Sequence, residues 1–263
     1  MTDRLSTAAR TALAVVLTLG LAALLYFVAQ WLGTSDLATR PATCVETGCF
    51  CEAPQTVFPA QLADSFSSLA FVFVGLWTVL GGLRPAPGTP ERRLTPIFGA
   101  IFVFIGASSF TYHATLSFFG QFLDIFSMYT FGILLALGAL YRSGRLRSRT
   151  AIALFVALAV ILAVVQYLVP DARRLLFAAL LLPGIVLELM PSVTGHSPRS
   201  PKVRFIYVGV ATMVVAYGIW LLDQTPYFCE GHSLLQGHAI WHVLGAVAAV
   251  MIVVHYRRTQ HLD

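Results

Sequence analysis

Five residues with chemical capability stand in stretches that are otherwise oily. The run "GHAIWHVLG" carries His238 and His242 four residues apart, which places both imidazoles on one face of a helix. An i, i+4 histidine pair is the arrangement by which one helix supplies two nitrogen ligands to a single zinc ion. The run "SSFTYHATLSFFGQFLDIFSMY" adds Ser109 and His113, again four apart, and Asp124 beyond a short turn. Three neutral imidazoles leave the fourth position of a tetrahedral metal open for water, which is the catalytic form of such a site. A carboxylate inside an apolar span demands a partner, so Asp124 reads as functional. Each piece has a plainer reading. A lone histidine serves as an interhelical hydrogen-bonding group, a histidine pair also binds haem or relays protons, and a serine packs helices. Matched depth of His113, Asp124, His238 and His242 in three helices favours a metal site.

The elements that must hold these residues are membrane helices. Hydrophobic residues make up 57% of the chain and charged residues 11%, with mean hydropathy +0.78. Soluble domains carry about a quarter charged residues, so a soluble enzyme is excluded. Eight spans are expected, near Ala12–Leu32, Ser65–Leu83, Pro96–Leu116, Gly120–Tyr141, Ala151–Val169, Leu175–Met190, Val203–Leu222 and Leu235–His255. The sixth is short and interrupted by "LLPG" at Leu181–Gly184. The first resembles a signal peptide in its preceding Arg4 and Arg10, but its long apolar run and the absence of a small-x-small cleavage site favour a retained anchor. Between the third and fourth spans, "SFFG" is expected to form the turn. His113 and Asp124 would then both lie roughly 6–7 Å below it.

Of the 17 Lys and Arg residues, all but Arg40, Arg173 and Arg174 fall before the first span, in alternate connections or after the last span. That bias places both termini in the cytoplasm. The positive net charge therefore reports topology, and no nucleic-acid partner is expected. Cys44, Cys49, Cys51 and Cys229 all fall on the opposite face, which suggests disulfides with three possible pairings. Abundant Arg and Ala with a single Lys suit a bacterial inner membrane with a periplasmic outer face. His196, His255 and His261 are assigned to the cytoplasmic side and His232 to a loop. Glu188 is expected to be solvated near its helix end.

The chain resembles the alkaline ceramidase family, membrane zinc amidases of the superfamily that includes the progestin and adipoQ receptors. The resemblance rests on "SFTYHATLSFFGQFLD", with Ser109, His113 and Asp124 at the family's S-x3-H-x10-D spacing, and on "HAIWH". "CFCE" at Cys49–Glu52 and "DQTPYFC" at Asp223–Cys229 add to it, over roughly Cys49 to Tyr256. It implies an all-α integral membrane fold: a seven-helix bundle over residues 65–256, preceded by an extra transmembrane anchor over 1–34. An external cysteine-containing loop at 35–64 and a cytoplasmic tail at 257–263 complete the organisation. It further implies that His113, His238 and His242 bind zinc, that Asp124 orients and deprotonates the attacking water, and that Ser109 stabilises the oxyanion. The activity implied is hydrolysis of a linear amide bond in ceramide or a related N-acyl membrane lipid. A Cys51–Cys229 disulfide is also implied, leaving Cys44 and Cys49 to pair locally or stay free.

One segment departs from the family. "CFCEAPQTVFPAQLADS" keeps Glu52, but Pro54 and Gln61 stand where the family offers calcium an oxygen or a carboxylate. Asp64 alone does not restore the set, so zinc is the expected cofactor and calcium is not. The competing readings are a receptor of the same superfamily with a structural zinc, and a haem bundle. Asp124 argues against the first, because a structural zinc needs no free carboxylate beside it. Against the second, His238 and His242 on one helix face cannot both be axial to one haem, and no second such pair exists.

Overall fold

The computed structural model describes residues 6–195 and 199–259, so Arg4, His196 and His261 lie outside the described residues. Its helices, in chain order, are α1 (Thr7–Gly33), α2 (Leu62–Ser67), α3 (Leu69–Val79), α4 (Pro90–Thr115), α5 (Phe118–Arg142), α6 (Ser148–Leu168), α7 (Arg173–Leu189), α8 (Pro191–Thr194), α9 (Arg204–Asp223) and α10 (Gly237–Arg258). Two short 3-10 turns complete the regular structure, and no strand occurs among the described residues. The fold is an all-α membrane bundle. Taking Leu62–Val79 as one span, seven of these segments are long and apolar enough to cross a bilayer. The expected sixth span, α7, is 17 residues long and runs unbroken through Pro183.

Lipid rather than water explains the outer surface. Leu19 and Phe27 on α1, Val160 on α6 and Val214 on α9 are all more than half exposed. Facing hydrocarbon, such side chains carry no hydrophobic penalty. The interior is a separate cluster in which Phe98 and Phe102 of α4, Leu135 of α5, Ile206 of α9 and Tyr256 of α10 pack together. The extra helix α1 lies against the outside of the bundle. Its Ala29 packs with Phe110 and Ala114 of α4, and Arg10 donates to the Gly81 carbonyl at 2.6 Å.

The α4–α5 hairpin turns more tightly than the sequence suggests. Thr89 caps α4, accepting from Arg92 N, and Leu116 ends it in the left-handed region at φ 47°. Ser117 then immediately caps α5, accepting from Gly120 N at 3.1 Å. Leu116 and Ser117 are therefore the turn, and Phe118, Phe119 and Gly120 belong to the first turn of α5. Gly120 is needed for this closure, since a Cβ there would stand 2.8 Å from the Tyr112 Cα.

At the opposite end of the bundle one expectation is corrected. Glu188 is fully buried rather than solvated, and His255 is buried beside it. One Glu188 oxygen receives Arg142 Nη2 at 3.1 Å and lies 3.2 Å from His255 Nε2; the other receives the Tyr256 hydroxyl at 2.7 Å. Arg142 also reaches Glu91 at 3.6 Å and stacks over the Tyr256 ring. A carboxylate in this environment is retained only when paired. The network joins α4, α5, α7 and α10 at one level.

Candidate metal centre

Two helices deliver three imidazoles to one point. His113 comes from the last turn of α4, and His238 and His242 from the first two turns of α10. Their donor nitrogens all lie within 4.8 Å of one another, and the residues are 0%, 7% and 4% exposed. His113 Nε2 and His238 Nε2 stand 3.2 Å apart. Two zinc ligands at about 2.0–2.1 Å in a tetrahedron are separated by about 3.3 Å, so the spacing fits a shared ion.

The start of α10 is set from a distance. Gln236 at its N-cap makes no capping hydrogen bond, and Asp223 at the end of α9 replaces it. The Asp223 carboxylate accepts from Gly237 N at 2.8 Å and from His238 N at 3.2 Å. It thereby satisfies amides left free at a helix start and complements the helix dipole. A Cβ on Gly237 would lie 2.5 Å from the Asp223 side chain, so only glycine admits the carboxylate.

The segment before the bundle closes the other side. Cys51 and Cys229 are disulfide-bonded with Cα atoms 5.3 Å apart, and Cys44 and Cys49 form a second disulfide. Ala53 N donates to the Gly231 carbonyl beside the first bridge. Glu52 caps α2 with its carboxylate, accepting from Ala63 N and Asp64 N, both at 2.8 Å. Ala60 N and Gln61 N donate to the Ala114 and His113 carbonyls, which α4 leaves free at its end. Gln61 Oε1 faces His113 Nδ1 at 2.9 Å, and Ser67 Oγ faces His242 Nδ1 at 2.8 Å. Neither partner was legible as such from the sequence. Both belong to a polar segment 52–68 whose only signal is its density of Gln, Asp and Ser just before an apolar run.

Asp124 and Ser109 are neighbours across the hairpin. Each is seven residues from the Leu116–Ser117 turn, about 10 Å along its helix, whereas His113 is only three residues from it. Asp124 is thus level with Ser109 and one turn deeper than His113, which corrects the expected shared depth. The Ser109 hydroxyl interacts with the Asp124 carboxylate and also lies 3.3 Å from His242 Nε2. Asp124 is not one of the clustered donors. His232 is in the loop before α10, outside the cluster.

This arrangement can hold a metal ion between buried side chains, with a hydroxyl and a carboxylate on one side of it. No match is found among curated proteins. The family profile described as Ceramidase matches residues 48–263, leaving out α1 and taking in every residue of the three-histidine cluster, Asp124 and Ser109. The chain belongs to the Ceramidase family.

Proposed function

We propose that the chain is a zinc-dependent intramembrane hydrolase that cleaves the amide bond of ceramide or a related N-acyl lipid, releasing a fatty acid and an amine. The observation that carries this reading is the convergence of His113, His238 and His242 beside a paired Asp124 and Ser109. Two bare imidazole lone pairs 3.2 Å apart repel unless a proton or a cation lies between them, and the nitrogen-rich donor set suits zinc. When bound, zinc would polarise the amide carbonyl and lower the pKa of water towards neutrality.

The chain's own groups divide the remaining work. Asp124 accepts the proton of the attacking water and returns it to the leaving nitrogen. Ser109, one helical turn from His113, donates its hydroxyl to the carbonyl oxygen as negative charge develops there. The three histidines hold the metal while the low exposure of their rings keeps bulk water out. The depth of about one to two helical turns suits an amide near the headgroup boundary of a membrane lipid.

Topology supports a site facing outwards. The disulfides and the histidine cluster are at the same end of the bundle, while Arg10 and Arg142 are at the other. We place the site in the outer leaflet of a bacterial inner membrane, with the termini in the cytoplasm, α1 as an anchor at 1–34 and the hydrolase bundle at 65–256. Incubating detergent-purified protein with a panel of N-acyl lipids and measuring released fatty acid tests the reading. Release is expected from ceramide or another amide-linked lipid in the panel. No release from any of them, or release from ester-linked lipids alone, would contradict it.

A further inference from the structure

A neutral imidazole has one bare nitrogen, and its second nitrogen carries the proton. Three rings can share one ion through Nε2 only if the proton sits on Nδ1. For His113 a side chain outside the cluster decides this. Gln61 Oε1 lies 2.9 Å from His113 Nδ1. An amide end can be turned either way, so the identity of the facing atom must come from its other contacts. Here Gln61 Nε2 lies 2.7 Å from the Glu52 main-chain oxygen, which can only accept. The nitrogen must therefore face Glu52, the oxygen must face His113, and His113 Nδ1 must be the donor.

The amide is held firmly in that position. Gln61 is completely buried, its main-chain N donates to the His113 carbonyl, and Glu52 is next to the Cys51–Cys229 bridge. Asp64 does not compete in this geometry. Its nearer oxygen is 3.9 Å from His113 Nδ1, beyond hydrogen-bond reach, and neither oxygen has a hydrogen-bond partner among the described residues. Ser67 provides an internal comparison at His242. Its hydroxyl donates to the Asp64 carbonyl at 3.1 Å, leaving its oxygen to accept from His242 Nδ1. His238 Nδ1 has no such partner.

We infer that Gln61 is a positioning residue for the metal: it fixes His113 as the Nδ1–H form and aims Nε2 at His238 and His242. The inference deepens the zinc reading above and rests on it. Outer partners of this kind change metal affinity by about 10–100-fold. The test is the zinc dissociation constant, read by competition with a chelating dye in detergent, for the full-length wild type, Gln61→Met and Gln61→Glu.

Gln61→Met fills the same space without an acceptor and should weaken zinc binding at least tenfold. Gln61→Glu restores an acceptor at the same reach and, with its second oxygen protonated to donate to the Glu52 carbonyl in place of Nε2, should stay within about fivefold of wild type. A purely structural role would weaken both alike, so equal losses overturn the inference, as does a Gln61→Met loss below tenfold. If Gln61→Met does not fold, Gln61→Glu alone decides, and a loss beyond fivefold overturns the inference. A wild type that binds no zinc removes the zinc reading and this inference together. A wild type that binds zinc, with Gln61→Met unaffected, removes only this inference.

Discussion

Asp124→Asn should keep its zinc and lose amide hydrolysis by about two to four orders of magnitude, the usual contribution of a positioned general acid–base group. Asparagine has nearly the same shape and still receives the Ser109 hydroxyl through its oxygen. It cannot accept a proton from water or hand one to the leaving amine. Metal content should survive because Asp124 is not among the clustered donors, which are His113, His238 and His242. Two measurements on one preparation check this, zinc per chain and fatty-acid release. Loss of zinc from a folded Asp124→Asn protein would make Asp124 a ligand and remove its assigned role.

The second large effect concerns stability at the far end of the bundle. Glu188→Leu should lower unfolding free energy by about 3–5 kcal/mol, the range for removing one partner of a buried ion pair. Leucine fills the space, so packing loss is small and the cost comes from the charge left behind. Arg142, buried at 3% exposure, would keep Glu91 at 3.6 Å as its only carboxylate among the described residues, and the Tyr256 hydroxyl would lose its acceptor. Denaturant or thermal unfolding in detergent reads the change. A loss below 1 kcal/mol would show that water or lipid headgroups already solvate this cluster.

Much of the architecture can be read from apolar run lengths, because a bilayer demands about 20 such residues per helix. The family pattern in "SFTYHATLSFFGQFLD" and "HAIWH" leads to the chemically capable residues by spacing alone. The points that escaped such reading depend on contacts distant in sequence. Leu116 carries no signal for a left-handed turn, as glycine would, so the hairpin was placed a few residues late and Asp124 too shallow. Glu188 sits near a helix end, where a charge is ordinarily solvated, and its partners Arg142, His255 and Tyr256 are on other helices. Gln61 meets His113 from 52 residues away, and Asp223 caps α10 across a loop. No local periodicity encodes such pairings. Only the wider resemblance pointed to Cys51 with Cys229, because four cysteines on one face allow three connectivities.

The central claim is that His113, His238 and His242 hold a zinc ion that the hydrolase requires. Metal analysis of the purified protein tests it most directly, by mass spectrometry of the metals in the wild type and in His238→Ala. About one zinc per chain in the wild type is predicted, with little or none in folded His238→Ala. Chelation should abolish fatty-acid release, and added zinc should restore it. Iron or haem in place of zinc, or zinc retained at full stoichiometry by His238→Ala, would contradict the account.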